Sequence, residues 1–165
     1  MYQLIYKLSL VCVIFISILQ FCHSNDEQNT PEDFLNAHNK YRDEVGAPPL
    51  RWCQSIAKFA EYYANQRKND CALQHSHNDK YGENLATGYG GFSAVHAVKL
   101  WVNQKVNYDY KANTCAAFKH CGYYTQVVWK NSTKLGCARV KCTNGARFIT
   151  CNYDPKGNVK KERPF

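Results

Sequence analysis

Gly136-Cys137-Ala138-Arg139-Val140-Lys141-Cys142 and Arg147-Phe148-Ile149-Thr150-Cys151-Asn152-Tyr153 flank the turn Thr143-Asn144-Gly145-Ala146. Both runs are rich in valine, isoleucine and aromatic residues, which suit a pleated, half-buried surface. Asn-Gly tolerates the positive φ angles of a type I′ turn, so 136–142 and 147–153 are expected to pair as an antiparallel hairpin. Residues 73–77 are expected to add a further strand.

Upstream the period changes to that of a helix. Thr30 is a hydroxyl cap, Pro31 suits the first turn, and Glu32 and Asp33 face the positive end of the dipole. Phe34, Leu35, His38, Tyr41 and Val45 then share one face, and Gly46 ends the helix. Ile56, Phe59, Ala60, Tyr63 and Ala64 mark a second helix, with Arg67 and Lys68 near its negative end. Ser93 caps a third, with a wide stripe of Val95, Val98, Trp101, Val102 and Lys105 that has an amphipathic rim. Helices covering a small antiparallel sheet argue for the α+β class. The irregular stretches 88–91 and 107–119 are expected to be stapled by disulfides.

Lys7 followed by the apolar run 8–21 reads as a secretory signal, 1–24, cleaved near Ser24. That run is shorter than a membrane span. Residues 25–165 fit one domain. Their 20 basic and 13 acidic side chains include no basic run longer than Lys160-Lys161. This thin basicity suggests attraction to anionic surfaces such as membranes or wall polymers, with no nucleic-acid partner; a solvated basic surface is the plain alternative. Seven cysteines remain after the signal: Cys53, Cys71, Cys115, Cys121, Cys137, Cys142 and Cys151. In an oxidising compartment disulfides come first, and the absence of any CxxC pair argues against structural zinc. Arithmetic alone leaves the pairing open.

Four segments together resemble the CAP superfamily of cysteine-rich secretory, antigen 5 and pathogenesis-related 1 proteins: His38-Asn39-Lys40-Tyr41-Arg42; His75-Ser76 with Tyr81-Gly82-Glu83-Asn84-Leu85-Ala86; Tyr124-Thr125-Gln126-Val127-Val128-Trp129; and Cys151-Asn152-Tyr153-Asp154-Pro155-Lys156-Gly157-Asn158. Asn107-Tyr108-Asp109-Tyr110 and the closing Glu162-Arg163-Pro164-Phe165 look like the plant pathogenesis-related 1 branch. The resemblance implies an α-β-α sandwich, a fourth helix, and disulfides joining Cys71 to Cys142, Cys115 to Cys121 and Cys137 to Cys151. Cys53 falls outside that pattern and reads as a buried, inert thiol, with an intermolecular disulfide as the alternative.

The family's central cleft carries two histidines and two glutamates, which in some members hold a divalent metal. Carried over residue by residue, these positions are His75, Glu83, Gln104 and Tyr123, so a glutamate and a histidine are replaced. Gln104 is neutral, and Tyr123, with an ordinary pKa of about 10, keeps its proton. No metal and no cofactor are therefore expected, unless His77 or His120 completes a site. The expected arrangement is a buried polar network of the four side chains. Neither a Gly-x-Ser-x-Gly elbow nor a workable Ser76-His75-Glu83 triad is visible, so no catalytic residue is assigned and the protein is read as no enzyme; a metal-dependent hydrolase is the remote alternative.

The resemblance further implies sterol or other lipid binding by the loop 107–114, with Tyr108 and Tyr110 as walls; alternatively these rings pack on the loop's own core. It also implies a second use, release of a C-terminal signalling peptide, 155–165, by cleavage between Asp154 and Pro155; a tail docked on the sheet is the alternative. Asn131-Ser132-Thr133 is an N-glycosylation sequon. The expectation is a secreted, extracellular, monomeric defence protein, apoplastic in a plant, antimicrobial by lipid sequestration.

Overall fold

The structure, a computed structural model, describes residues 29–165; the expected signal at 1–24 lies outside them. Helix α1 (Pro31–Asp43) opens with a reciprocal cap: Thr30 Oγ1 accepts from the Asp33 N–H, and the Asp33 carboxylate accepts from the Thr30 N–H. It buries Phe34, His38 and Arg42. β1 (Arg51–Trp52) leads into α2 (Gln54–Gln66), whose buried face is Ile56, Ala57, Ala60, Tyr63 and Ala64. β2 (Gly82–Gly88) precedes α3 (Ala94–Val102), capped by Ser93 and His96. The stripe of α3 is Ala94, Ala97, Val98, Trp101 and Val102; Val95, expected within it, lies at its edge and is 47% exposed. A 3-10 turn (Asn103–Asn107), the short hairpin β3 (Tyr108–Asp109) and β4 (Thr114–Cys115), α4 (Gly122–Val127), β5 (Lys134–Lys141) and β6 (Arg147–Asp154) complete the order.

The main sheet runs β1-β5-β6-β2. It is mixed, not purely antiparallel: β1 pairs in parallel with β5, and the other pairs are antiparallel. The expected strand at 73–77 does not form. That segment is irregular, with His77 at φ 55° and Cys71, two residues before the segment, at 54°, and the place beside β6 belongs to β2. The hairpin turn also differs from type I′. Only Gly145 has positive φ, at 85°, and its N–H donates to the Cys142 carbonyl at 3.0 Å. Asn144 uses its side-chain oxygen to accept from the Ala146 N–H, which holds a three-residue loop instead.

Alternation along β6 divides the core. Ile149, Cys151 and Tyr153 pack with α1, α3 and α4, while Phe148 packs with Tyr63 and Ala64 of α2. The result is an α-β-α sandwich. Gly136 of β5 lies so close to the main chain of Ile56 and Ala57 that no β-carbon fits between strand and helix. Three disulfides join Cys71 to Cys142, Cys115 to Cys121 and Cys137 to Cys151, the pairs implied by the family resemblance. Cys53 is not a buried thiol. It is half-exposed at the N-cap of α2, and hydrogen bonds from Ser55 and then from the Ile56 N–H lower its pKa.

Candidate functional site

Glu83 on β2 stands directly across from Asn152 on β6, and that register brings its carboxylate within reach of the irregular segment carrying His75. Three donors hold it: His75 Nδ1 at 2.9 Å and the Ser76 N–H at 2.9 Å on one oxygen, Asn152 Nδ2 at 3.2 Å on the other. Burial pushes the Glu83 pKa up, but these hydrogen bonds together outweigh it and hold the carboxyl below its usual range. The same bond to Glu83, opposed by partial burial and helped by the carboxylate charge, raises His75. The Glu83 side chain is 5% exposed and that of His75 50%.

Gln104 and Tyr123 form the second pair, with Gln104 Oε1 accepting from the Tyr123 N–H at 3.0 Å. Burial, then the Glu83 charge, raises the Tyr123 pKa, which keeps the phenol protonated. The two pairs meet through rings, His75 lying 6.2 Å from Tyr123. The expected single buried network is thus two linked pairs with His75 half in water. His75, Gln104, His120, Gly122 and Tyr123 line a cavity of about 360 Å³, and His75 also lines a neighbouring one of about 280 Å³ together with Glu83 and His77.

These residues do not fit a metal. Zinc needs three or four imidazole, thiolate or carboxylate donors. Of the four cleft side chains only His75 and Glu83 are of that kind, since Gln104 is a neutral amide and Tyr123 keeps its proton. Among the described residues no group of three or more histidines, cysteines or acids is placed to hold an ion. A hydrolytic triad is not assembled either: Ser76 meets Glu83 through its N–H, and its hydroxyl accepts from Asn78. Asn152 is the site residue that sequence reasoning left without a role; its position in the Cys-Asn-Tyr-Asp segment was the available signal.

The loop after α3 carries both candidate lipid-wall residues, Tyr108 and Tyr110, and the tail packs on it. Tyr108 is partly buried and Tyr110 is 44% exposed, and both reach beyond their own loop. Tyr108 donates to Asn113 at 2.7 Å and leans on Tyr124. Tyr110 stacks on Phe165 with centroids 4.9 Å apart and donates to its carbonyl. Arg163 lies over the Tyr110 ring and donates to the Tyr110 and Lys111 carbonyls, and Asn113 donates to the Glu162 carbonyl. The tail after β6 therefore covers the loop, and it is this loop and α4, more than the sheet, that it docks against. Between them remains a cavity of about 320 Å³ whose lining includes Tyr108, Trp129, Val159 and Pro164. Asp154 ends β6, its carbonyl accepting from the Thr133 N–H, and Pro155 is exposed. Asn131 is exposed in the turn before β5.

An α-β-α sandwich with three disulfides around a polar cleft defines the class, and the chain belongs to the cysteine-rich secretory protein (CAP) family, whose pattern matches residues 35–153. Its similarity within that family is to plant pathogenesis-related 1 proteins. It is 50% identical over 158 residues to the basic form of pathogenesis-related protein 1 of Nicotiana tabacum, covering 96% of this chain and 88% of that one. Against pathogenesis-related protein 1 of Arabidopsis thaliana it is 51% identical over 138 residues, 84% of each. Among solved structures, the venom allergen-like protein 4 of Schistosoma mansoni superimposes with a TM-score of 0.66 at 29% identity, covering 81% of this chain and 92% of that one.

Proposed function

We propose that this pathogenesis-related 1-like protein is secreted and acts in defence as a monomer by binding a sterol or related lipid, without catalysis. The observation that carries the reading is the 320 Å³ cavity between loop and tail, with its aromatic and aliphatic lining from Tyr108, Trp129, Val159 and Pro164. The rest of the lining is mostly polar, with Asn113, Thr125, Asn158, Lys160 and Glu162 among it, so the rings and aliphatic side chains would take the hydrocarbon face of the ligand while the polar rim meets its hydroxyl. Three disulfides suit an extracellular setting. The non-catalytic part of the reading is supported by the polar cleft, where neither a hydrolytic triad nor a three-ligand metal group is assembled among the described residues. Equilibrium sterol binding in detergent tests the proposal. Saturable binding by the wild type, lost when Val159→Trp fills the cavity in a folded protein, is expected; no binding by a correctly disulfide-bonded wild type would sink it.

A second reading, release of the peptide 155–165, is favoured by one observation. The last cysteine, Cys151, precedes the tail, and β6 ends at Asp154, so cleavage there would leave the sheet and all three disulfides whole. Mass spectrometry of tissue fluid is expected to find the free peptide; recovery of only the intact chain would exclude this use.

A further inference from the structure

The loops beside the Cys115–Cys121 disulfide leave two apolar side chains in water: Phe118 is 104% exposed and Val106 88%. They come from different segments, Val106 from the 3-10 turn and Phe118 from the turn closed by the Lys119 N–H on the Ala116 carbonyl. Asn107 joins the two. Its carbonyl accepts from the Ala116 N–H at 2.7 Å, and its side-chain amide donates to the His120 carbonyl at 3.0 Å. Phe118 also sits at φ 59°, a left-handed conformation that bulky residues rarely adopt. An aromatic ring held in water on a strained backbone carries two separate costs at one residue. Such costs mark positions that use them.

The two segments at this end carry an excess of positive charge. Residues 105–120 and the tail 155–165, joined through Tyr110 and Phe165, hold seven lysines and arginines against Asp109 and Glu162, a net +5 over the two segments, with Lys156 turned away to the Asp79 carbonyl. Lys105 and Lys119 adjoin the two apolar residues in sequence. Lys105 has only a loose, half-exposed partner in Glu44, at 3.8 Å. Exposed apolar side chains, each next to a lysine in sequence, match a bilayer interface, where rings enter below the headgroups while ammonium groups meet anionic lipid. An acidic polysaccharide would satisfy the lysines but offer Phe118 no hydrocarbon.

We propose that this end of the molecule docks on anionic bilayers, with Phe118 and Val106 entering the interface and Lys105, Lys111 and Lys119 contacting headgroups. Docking of this kind goes beyond sterol binding and needs no sterol. Co-sedimentation with sterol-free vesicles of phosphatidylcholine, with and without phosphatidylserine, tests it, with circular dichroism confirming the fold of each variant. The wild type is expected to partition onto phosphatidylserine vesicles only, less so as salt rises. Phe118→Ser should weaken partitioning about tenfold or more, since an inserted ring contributes that much, and Lys119→Glu should weaken it too. Phe118→Ser should still bind sterol in detergent, which separates this proposal from the cavity reading. Equal partitioning of wild type and Phe118→Ser, or no binding to anionic vesicles, would overturn docking. So would binding to polygalacturonate that depends on the lysines but not on Phe118, with no vesicle binding.

Discussion

Arg42 carries a full charge into the core, and its guanidinium donates to four main-chain carbonyls: Pro48 at 2.7 Å, Val127 at 3.0 Å, Trp129 at 2.9 Å and Ser132 at 2.9 Å. One side chain thereby ties α1 to the loop before β1, to the end of α4 and to the turn before β5. Burial lowers its pKa to about 10, which leaves it charged at neutral pH. One turn earlier, His38 donates from Nδ1 to the Phe34 carbonyl at 2.6 Å and accepts at Nε2 from the Tyr153 hydroxyl at 2.8 Å, the tautomer this pattern requires. Burial pulls its pKa down to about 4. Between that value and the ordinary one of about 6.5, the unfolded chain takes up a proton that the folded one refuses. Stability is therefore expected to fall by roughly 3 kcal/mol as pH drops through that window. Urea midpoints between about pH 7 and pH 4.5 check this: His38→Gln should be less stable at neutral pH yet respond less to acid, and an unchanged slope would place the sensitivity elsewhere. His75 has the opposite sign. Its raised pKa contributes below the unfolded value and is lost as pH rises through the folded one, and half-exposure keeps the effect small.

At the scale of elements, the disulfides do unequal work. Cys71–Cys142 ties the segment after α2 to the far end of β5 across 71 residues, whereas Cys115–Cys121 closes 6. On loop-closure grounds the first contributes about 4 kcal/mol and the second about 2. The double replacements Cys71→Ala with Cys142→Ala, and Cys115→Ala with Cys121→Ala, compared by thermal unfolding, should differ in that order; a reversal would show that the short bridge secures the tail-covered loop more than its entropy suggests. Local signals read the helices well, because caps such as Thr30 and Ser93 and stripes such as Ile56 to Ala64 act within a few residues. β2 was missed because its alternation is hidden by glycines at both ends and by small residues, and its strand character comes from pairing with β6, a partner distant in sequence. The turn at 143–145 was misjudged for a more local reason, since Asn144 bonds its own backbone instead of taking positive φ.

Across the whole molecule, the same limit explains the site. His75 and Glu83 were legible from motifs, but the split into two pairs depends on a coil whose path follows a long-range disulfide. The docking of Phe165 on Tyr110, 55 residues away, has no local signature at all. One consequence concerns how the body can be watched. The Cys53 N–H donates to the Leu135 carbonyl at 2.8 Å, its carbonyl accepts from Ala57, and Gly136 lets strand and helix touch just beside it. The free, half-exposed sulfur among the described residues is thus fixed to a stiff junction and has a lowered pKa. A spin label or fluorophore attached there would have little wobble of its own, so its anisotropy would report the rotation of the entire particle, slowing when the particle joins something far larger.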